Sequence, residues 1–523
     1  MQNLYALVRP FGSVEAGTDA DLLDLFVRVP HAVKATDPSV AVLTGRRAAG
    51  KTAVAVFLEK GSEPRFDVVV HFDQRKLLAQ LLLLDERERL NRKRQAAVVQ
   101  TALTGDQFVD YWIFAIWHGI TAELLKTGSF LAAIDGELFQ AAAQEVLALG
   151  TAADELLYAA AGDQYTRDVA LLRILELTGA FRKSYTFEVL EQMVRQYVEA
   201  GFRIIVIADT IEDYRVRNEL IDRALSGLLT AWVAFAGKAS HRNLHAKCFF
   251  PAEIYSYLKL SAPPFNIRKV EQHMVHLRWT PKQLRNMLSK RMGHWLQDHH
   301  PDVAAELGLA ELSEAELDRV VWTRVFPATV LNKQGVEEDT YIYIARHTQL
   351  HPGQLIWLCN VIAEKASDDE CFPPRIHSRH VIAGVDEVES EIAASVLAPY
   401  APVYPNITRI FQAAFEGCPN LMSYRDFSEL HKKALHVWPQ SEYEADANTF
   451  ERMALESGVV GKLRDSTGKY HVSYFEYDSK QELHFGREDL CAVHPAFYDL
   501  LSIHTAGSKR FVCPHVVVPD DSD

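Results

Sequence analysis

A glycine-rich stretch near the amino terminus carries the residue types and spacing of a phosphate-binding loop. Residues 45–52 read GRRAAGKT and match the pattern GxxxxGK[ST] at every fixed position. In such a loop the glycines let backbone N–H groups face a phosphate, the lysine reaches the terminal phosphates and the hydroxyl ligates magnesium. The alternative is a Gly-Lys turn on the protein surface. The pattern predicts a nucleotide and Mg²⁺ site whose binding residues are Gly45, Arg46, Arg47, Ala48, Ala49, Gly50, Lys51 and Thr52.

Three acidic residues follow a second apolar run. Asp209 ends the run RIIVIAD and is predicted to hold the magnesium ion together with Thr52. The alternative for Asp209 is a helix-capping aspartate at a strand exit. Glu212 and Asp213 come next in DTIED, and either could polarise the attacking water of a hydrolysis reaction, unless both are solvated acids of a first helical turn. The sequence thus assigns catalytic roles to Lys51, Asp209, Glu212 and Asp213.

Six arginines are candidates for the cation that a transferred phosphoryl group requires. Arg46 and Arg47 lie in the loop itself, although side chains at these variable positions more often point to solvent. The candidates for an arginine finger outside the loop are Arg278, Arg285, Arg291 and Arg346. For each of these four, an ordinary salt bridge is the favoured interpretation.

Short apolar runs alternate with segments of helix-like residue pattern, and these runs and segments predict the elements that position these residues. The expected strands are SVAVLT, FDVVVHF, FRIIVIAD, HAKCFF and MVHLRW, at residues 39–44, 66–72, 202–209, 245–250 and 274–279. Such runs separated by helices are typical of a parallel sheet covered on both faces. The predicted fold class is α/β: a P-loop NTPase three-layer core with a parallel sheet, a helical insertion and lid, and a C-terminal winged-helix domain.

The distribution of strand-like and helix-like segments along the chain predicts three domains. That is about the number expected for 523 residues at about 150 residues each. Residues 1–280 are expected to form the P-loop NTPase core, with a helical insertion at about 75–200, and residues 281–394 a helical lid. In residues 395–523, SYRDFSELHKKALHV and TFERMALESGVVGKL read as helices. YHVSYFEYDSKQELHF then reads as two strands around a polar turn, which indicates a winged-helix-like domain.

Composition argues against a membrane protein and gives no global attraction for nucleic acid. The formal net charge is −14, so the chain provides no positive field for a polyanion. No uninterrupted apolar run of roughly 18 residues is present, and the first residues do not resemble a signal peptide. Six cysteines without a CxxC pair favour reduced thiols. We expect a cytoplasmic protein.

The chain resembles a group of bacterial P-loop ATPases related to the STAND and KAP-like NTPases, many of them associated with defence. Beside the phosphate loop and the strand ending in Asp209, the resemblance rests on FGSVEAGTDADLLDLF, YWIFAIW, HLRWTPKQLRNMLSKRM, ARHTQLHPGQLIWLCNVI and AVHPAFYDLL. It implies ATP as the nucleotide, and a lid and winged helix that read the nucleotide state and assemble with partners.

Two positions depart from the pattern of this group. Pro352-Gly353-Gln354 stands where an arginine is common, so a nucleotide-sensing arginine is absent or replaced by Arg346. Pro251 stands where a polar residue is expected after HAKCFF. Both departures imply slow hydrolysis.

Residues and resemblance together predict a slowly hydrolysing, ATP- and Mg²⁺-binding P-loop ATPase that acts as a conformational or assembly switch. The resemblance implies antiphage defence, a homo-oligomer and an effector on a separate chain. One alternative is an initiator-like ATPase that grips DNA with its winged helix, and another is a nucleotide-locked scaffold without turnover. Acidic residues around the wing favour a protein contact over DNA: Glu476, Asp478, Glu482, Glu488 and Asp489.

Overall fold

A computed structural model describes residues 9–61, 65–72, 77–78, 105–128, 130, 136–159, 164–209, 219–238, 243–261, 267–401, 403–439, 445–477, 483–505 and 510–515. The chain divides into two units, each described here by itself. The parallel-sheet unit comprises Arg28–Gly45 and Lys51–Leu277. The C-terminal unit comprises Met1–Val27, Arg46–Gly50 and Arg278–Asp523. The boundaries of the three predicted domains stay a prediction.

Five short strands of the parallel-sheet unit build one sheet. They are β1 (Val42–Gly45), β2 (Val68–His71), β3 (Ile204–Ala208), β4 (Leu244–Pro251) and β5 (Met274–His276). The order is β2-β3-β4-β1-β5, and each neighbouring pair runs parallel. Every residue of β1, β3 and β4 is buried, as expected for apolar strands covered on both faces. The predicted parallel sheet is confirmed, and each strand overlaps its predicted run.

Helices separate these strands along the chain. The described ones are α1 (Pro30–Ala35), α2 (Lys51–Lys60), α3 (Gly105–Leu124), α4 (Gly136–Ala159), α5 (Gln164–Phe181), α6 (Tyr185–Glu199), α7 (Glu219–Lys238), α8 (Ala252–Ser261) and α9 (Ile267–Gln272). Helices α3 to α6 lie between β2 and β3 in sequence. Gly227 lets α7 approach α3, because an added Cβ would lie 2.8 Å from the Cβ of Phe108. The indole of Trp112 on α3 donates to the carbonyl of Ala224 on α7 at 2.7 Å.

One described helix, at Leu220–Gly237 within α7, is long and apolar enough to cross a membrane. Of this segment 78% is buried inside the protein. Trp232 in its middle is fully buried and meets the ring of Phe72 edge to face, with centroids 4.9 Å apart. The segment therefore packs as a core helix of the parallel-sheet unit.

Lys247 in β4 is a buried lysine that binds the segment preceding β1. Its side chain is fully buried, and its Nζ donates to the carbonyls of Asp37 and Val40 at 2.5 and 2.6 Å. Burial lowers the pKa of Lys247 from 10.5 to about 7, against the opposing charge of Asp37. The residue is a core component of the sheet, as the sequence predicted for HAKCFF.

We expect Lys247 to make folding stability rise with pH. The folded protein releases this proton near pH 7, whereas the unfolded chain holds it until about 10.5. The unfolded state therefore binds more protons between those values, and the destabilisation present below pH 7 is relieved as pH increases. Urea unfolding from pH 7 to 9 should show the wild type gaining up to about 1.4 kcal/mol per pH unit relative to Lys247→Met. Lys259→Met, at an exposed lysine of α8, is the control and should follow the wild type.

The C-terminal unit is largely helical in its first half. Its helices are α10 (Pro281–His299), α11 (Pro301–Glu306), α12 (Glu314–Val320), α13 (Thr340–Arg346), α14 (Pro352–Asp368), α15 (Ser378–Leu397), α16 (Ile407–Phe415), α17 (Tyr424–Glu429) and α18 (Ala447–Glu456). Helix α10 begins with a capping box, in which Thr280 accepts from the N–H of Gln283 and the Gln283 side chain accepts from the N–H of Thr280. Pro281 occupies its first turn, where no N–H is required.

A two-stranded hairpin interrupts the region that the sequence predicted as helices throughout. Strands β6 (Thr329–Leu331) and β7 (Glu337–Asp339) pair antiparallel. The intervening turn is set by Asn332, whose side chain accepts from the N–H groups of Gln334 and Val336, and by Gly335 at a φ of 74°. Asn and Gly are strong turn residues, so NKQG was the overlooked signal.

The second half of the C-terminal unit has the winged-helix arrangement. Its strands are β8 (Leu421–Ser423), β9 (Val460–Thr467), β10 (Tyr470–Tyr474), β11 (Leu490–Val493) and β12 (Phe511–Cys513), in the order β12-β10-β9-β11-β8. Strand β11 pairs antiparallel with both β8 and β9. Along the chain, β8 follows α16, and α17 and α18 connect β8 to β9. Strands β9 and β10 form a long hairpin that serves as the wing. The predicted fold class is confirmed.

Two details of the winged helix differ from the prediction. The helix over TFERMALESGVVGKL ends at Glu456, because Gly458 takes a left-handed φ of 71° and VVGKL becomes β9. The wing hairpin turns at Gly468 rather than at the polar residues after Tyr477, and residues 483–485 are not a strand. Residues 478–482 of the predicted turn lie outside the described residues.

Candidate functional site

The phosphate loop joins β1 to α2 at the carboxyl edge of the parallel sheet. Strand β1 is fully buried and ends at Gly45, and α2 begins at Lys51. Between them Ala48 and Gly50 have φ angles of 65° and 91°. Left-handed residues alternating with ordinary ones turn successive N–H groups to the same side of a loop, which makes an anion-binding concavity. The backbone therefore has the shape that the sequence pattern predicted.

The side chain of Lys51 is buried and crosses the loop. Its side chain is 5% exposed, and its Nζ donates to the carbonyl of Gly45 at 3.1 Å, across the loop. The next residue, Thr52, is exposed in the first turn of α2. The positive end of this helix and the ammonium group both favour an anion at the loop.

Asp209 follows β3 directly, at the same edge of the sheet. Ala208 is in register with Cys248 of β4, and Val42 of β1 is in register with that same cysteine. The pKa of the Cys248 thiol is raised by burial and by the charge of Asp209, so the carboxylate lies close to the strand ends. Carboxyl ends of parallel strands meet at one edge, where polar ligands bind in this fold class. A magnesium role for Thr52 and Asp209 stays a prediction.

Glu212 and Asp213 lie outside the described residues. Their predicted role in positioning water therefore rests on the sequence alone. Pro251 is the last residue of β4 and is in register with Gly45 of β1. A proline therefore lies beside the start of the loop, where a polar side chain was expected.

Residues of the C-terminal unit hold loop segment Arg46–Gly50 in place. The indole N–H of Trp279 donates to the carbonyl of Ala49 at 3.0 Å. The N–H of Gly353, in the first turn of α14, donates to the carbonyl of Ala48 at 3.3 Å. A Cβ added to Gly353 would stand 3.1 Å from that of Ala48, so the glycine permits this approach. The sequence prediction missed both contacts.

The two loop arginines have different environments. Arg47 is exposed, as expected for a variable position. Arg46 is half-buried, and its Nη2 donates to the carbonyl of Glu456 at 2.6 Å. Its guanidinium also lies over the ring of Tyr477, 5.5 Å from the centroid. Arg46 is therefore engaged within the C-terminal unit.

Three of the four arginines considered as fingers form ion pairs within the C-terminal unit, the interpretation that the sequence favoured. Arg285 pairs with Asp318 at 2.9 Å, Arg291 with Asp19 at 2.7 Å and Arg346 with Glu338 at 3.0 Å. Arg346 is only 3% exposed, which places it in the interior of its unit and not in the sensor role considered for it. Arg278 is half-buried. Within the described residues no cluster of three His, Cys, Asp or Glu side chains has the geometry of a metal site.

No protein-family model matches the sequence, and no curated protein matches it. Among solved structures, the ORC2 protein of Aeropyrum pernix in ADPNP–ADP complexes has 12% identity and a TM-score of 0.38, covering 92% of this chain and 96% of that one. The Aeropyrum pernix ORC1 protein in complex with DNA has 13% identity and a TM-score of 0.30, covering 92% and 91%. The fold assignment therefore stands on the strand order, the loop and the winged helix of this chain.

Proposed function

We propose that this protein binds ATP and Mg²⁺ in the Gly45–Thr52 loop, hydrolyses ATP slowly, and uses the nucleotide as a conformational or assembly switch. The observation that carries the proposal is the loop itself: two left-handed residues, a buried Lys51 reaching across it, and its place between β1 and α2. These residues fit a bound triphosphate because they supply donors and positive charge without a competing carboxylate in the loop.

Each predicted site residue has a defined task in this proposal. Gly45 to Thr52 hold the phosphates, and Thr52 and Asp209 provide the hard oxygen ligands that Mg²⁺ prefers. When bound, Mg²⁺ neutralises charge on the phosphates. Glu212 or Asp213 orients the attacking water. Pro251 lies beside the loop and Arg346 is buried in an ion pair with Glu338, so neither of these two described positions supplies a polar sensor, which supports slow turnover.

The switch is proposed to act on protein partners. The net charge of −14 favours protein over nucleic acid as the partner. Homo-oligomer formation, a separate effector chain and a role in bacterial antiphage defence are supported by the sequence resemblance alone.

Turnover and assembly can be measured on the same purified protein. We expect slow phosphate release from the wild type and about 100-fold slower release from Asp209→Asn, the scale of losing one charge-stabilising group. Glu212→Gln and Asp213→Asn identify which acid positions the water. By mass photometry, a non-hydrolysable ATP analogue should drive the wild type, and not Lys51→Ala, into a larger species.

Other outcomes would contradict parts of the proposal. Tight ATP binding with phosphate release equal in the wild type and all three acid variants would favour a nucleotide-locked scaffold. An unchanged mass in every nucleotide state would exclude the assembly switch and leave a conformational one.

DNA binding is the second candidate function, favoured by the winged helix with its long β9–β10 hairpin. Charges near the wing weaken it: Lys462 is paired with Asp489 at 2.6 Å, and Arg464 lies over Tyr474. A duplex-DNA titration at two salt concentrations decides the matter, because phosphate contacts lose affinity steeply as salt rises. Salt-sensitive binding by the full chain would replace the protein-partner proposal.

A further inference from the structure

The carboxyl end of α18 meets a residue of the phosphate loop. The last carbonyl of this helix, that of Glu456, accepts from Arg46 Nη2 at 2.6 Å and from the hydroxyl of Tyr400, also at 2.6 Å. Carbonyls in the last turn of a helix have no partner within the helix, and the helix dipole places partial negative charge there. A guanidinium from the loop therefore caps α18 and stabilises its end.

A ring contact and a nearby negative charge also hold this arginine. The ring of Tyr477 lies beneath the guanidinium, and the Tyr477 hydroxyl is 2.7 Å from Nε2 of His494, which holds the ring in place. The Glu456 carboxyl accepts from the hydroxyl of Tyr404 at 2.9 Å. Burial raises the pKa of Glu456, while the nearby charge of Arg46 opposes that shift. Arg46 is thus held by the Glu456 carbonyl and the Tyr477 ring, and the charge of the Glu456 carboxyl favours the guanidinium there.

The same guanidinium is chemically suited to a phosphate. Arginine presents a planar fork of donors that matches phosphate oxygens, and Arg46 is the second residue of the loop that would hold them. A bidentate contact with a phosphate fixes the plane of the guanidinium, and that plane is already set by the Glu456 carbonyl at Nη2 and by the Tyr477 ring. Turning the guanidinium toward a phosphate in the loop therefore competes with its contact to Glu456.

We propose that Arg46 is a relay between the phosphate loop and helix α18: nucleotide phosphate draws its guanidinium away from the Glu456 carbonyl and uncaps the helix. This inference rests on the proposed nucleotide binding and names its regulation. Helix α18 precedes the wing strands β9 and β10, in the position of the recognition helix of a winged helix. Binding linkage is reciprocal. A partner that binds α18 and releases Arg46 therefore tightens nucleotide binding by the factor by which nucleotide tightens binding of that partner.

Amide hydrogen exchange of residues 453–458 tests the relay directly. The N–H groups of Ser457 and Gly458 donate to the carbonyls of Met453 and Leu455 at the end of α18. We expect the ATP analogue to speed exchange of these amides in the wild type. In Arg46→Ala they should exchange fast without nucleotide and show no further response. Arg409→Ala, at an exposed arginine of α16 outside the loop, is the control and should respond as the wild type does.

Affinity provides the second arm, through a residue outside the loop. Tyr477→Leu removes the ring beneath Arg46 while keeping an apolar side chain, so it should tighten ATP binding about two- to fivefold, the range of one cation–π contact. The relay is wrong if the wild type binds ATP with unchanged exchange at 453–458, or if Arg46→Ala responds normally. If calorimetry shows no ATP binding by the wild type, the proposed function itself fails and the relay with it.

Discussion

Lys51→Ala is expected to weaken ATP binding by up to about 100-fold, to the point where calorimetric titration detects none. The ammonium group is buried, spans the loop to the Gly45 carbonyl and would face the terminal phosphates. A charge-assisted hydrogen bond to phosphate contributes up to about 3 kcal/mol, which corresponds to about a hundredfold in affinity. The substitution removes that bond and the positive charge together.

The matched control for this experiment lies on the same helix. Lys60 is exposed in the last turn of α2, so Lys60→Ala removes one lysine from α2 without touching the loop. It should bind ATP as the wild type does. Unchanged affinity in Lys51→Ala would show that GRRAAGKT is not a phosphate loop.

Arg346→Ala is expected to destabilise the C-terminal unit by about 3–5 kcal/mol, because it leaves the carboxylate of Glu338 buried without its counter-ion. The two side chains are 4% and 0% exposed and lie 3.0 Å apart. The guanidinium also lies 5.0 Å from the ring centroid of Tyr343 and 5.4 Å from that of Phe511. The midpoint of urea unfolding, followed by tryptophan fluorescence, measures the loss.

An exposed pair in the same unit is the control. Lys365 on α14 and Glu387 on α15 are paired at the surface, and Lys365→Ala should change the free energy of unfolding by less than about 1 kcal/mol. Replacing both buried partners, as Glu338→Leu with Arg346→Met, should restore most of the lost stability. Arg346→Ala that unfolds like the wild type but binds ATP weakly would instead support the sensor role.

The sequence could predict those parts of the fold that depend on local residue patterns. Strands β1, β3 and β4 are buried and mostly apolar, so their apolar residues located them, and parallel pairing followed from the intervening helices. Asp209 was placed because it directly follows such a run, and Lys51 because it follows one after the loop segment Arg46–Gly50. Local patterns suffice where burial on both faces demands uniform chemistry.

Other parts depend on contacts that no local pattern encodes. Arg46 and Glu456 are 410 residues apart in sequence, so their pairing is created only by tertiary structure. Strand β7 reads Glu-Glu-Asp and could not be found by a search for apolar runs. Its buried Glu338 accepts from Asn332 and Arg346 at Oε1. The end of α18 was readable in principle from Gly458, but the apolar residues after it suggested that the helix continues.

The left-handed Ala48 has a thermodynamic consequence for the loop. An alanine adopts this conformation at a cost of about 1–2 kcal/mol, whereas glycine does so freely and also samples many other states. Here the N–H of Gly353 donates to the Ala48 carbonyl and helps to hold the strained residue. A glycine at position 48 would lose conformational entropy when the loop closes around an anion. Ala48 has already lost that entropy when the protein folds. The loop is pre-organised, and a ligand meets a smaller entropic penalty when it arrives.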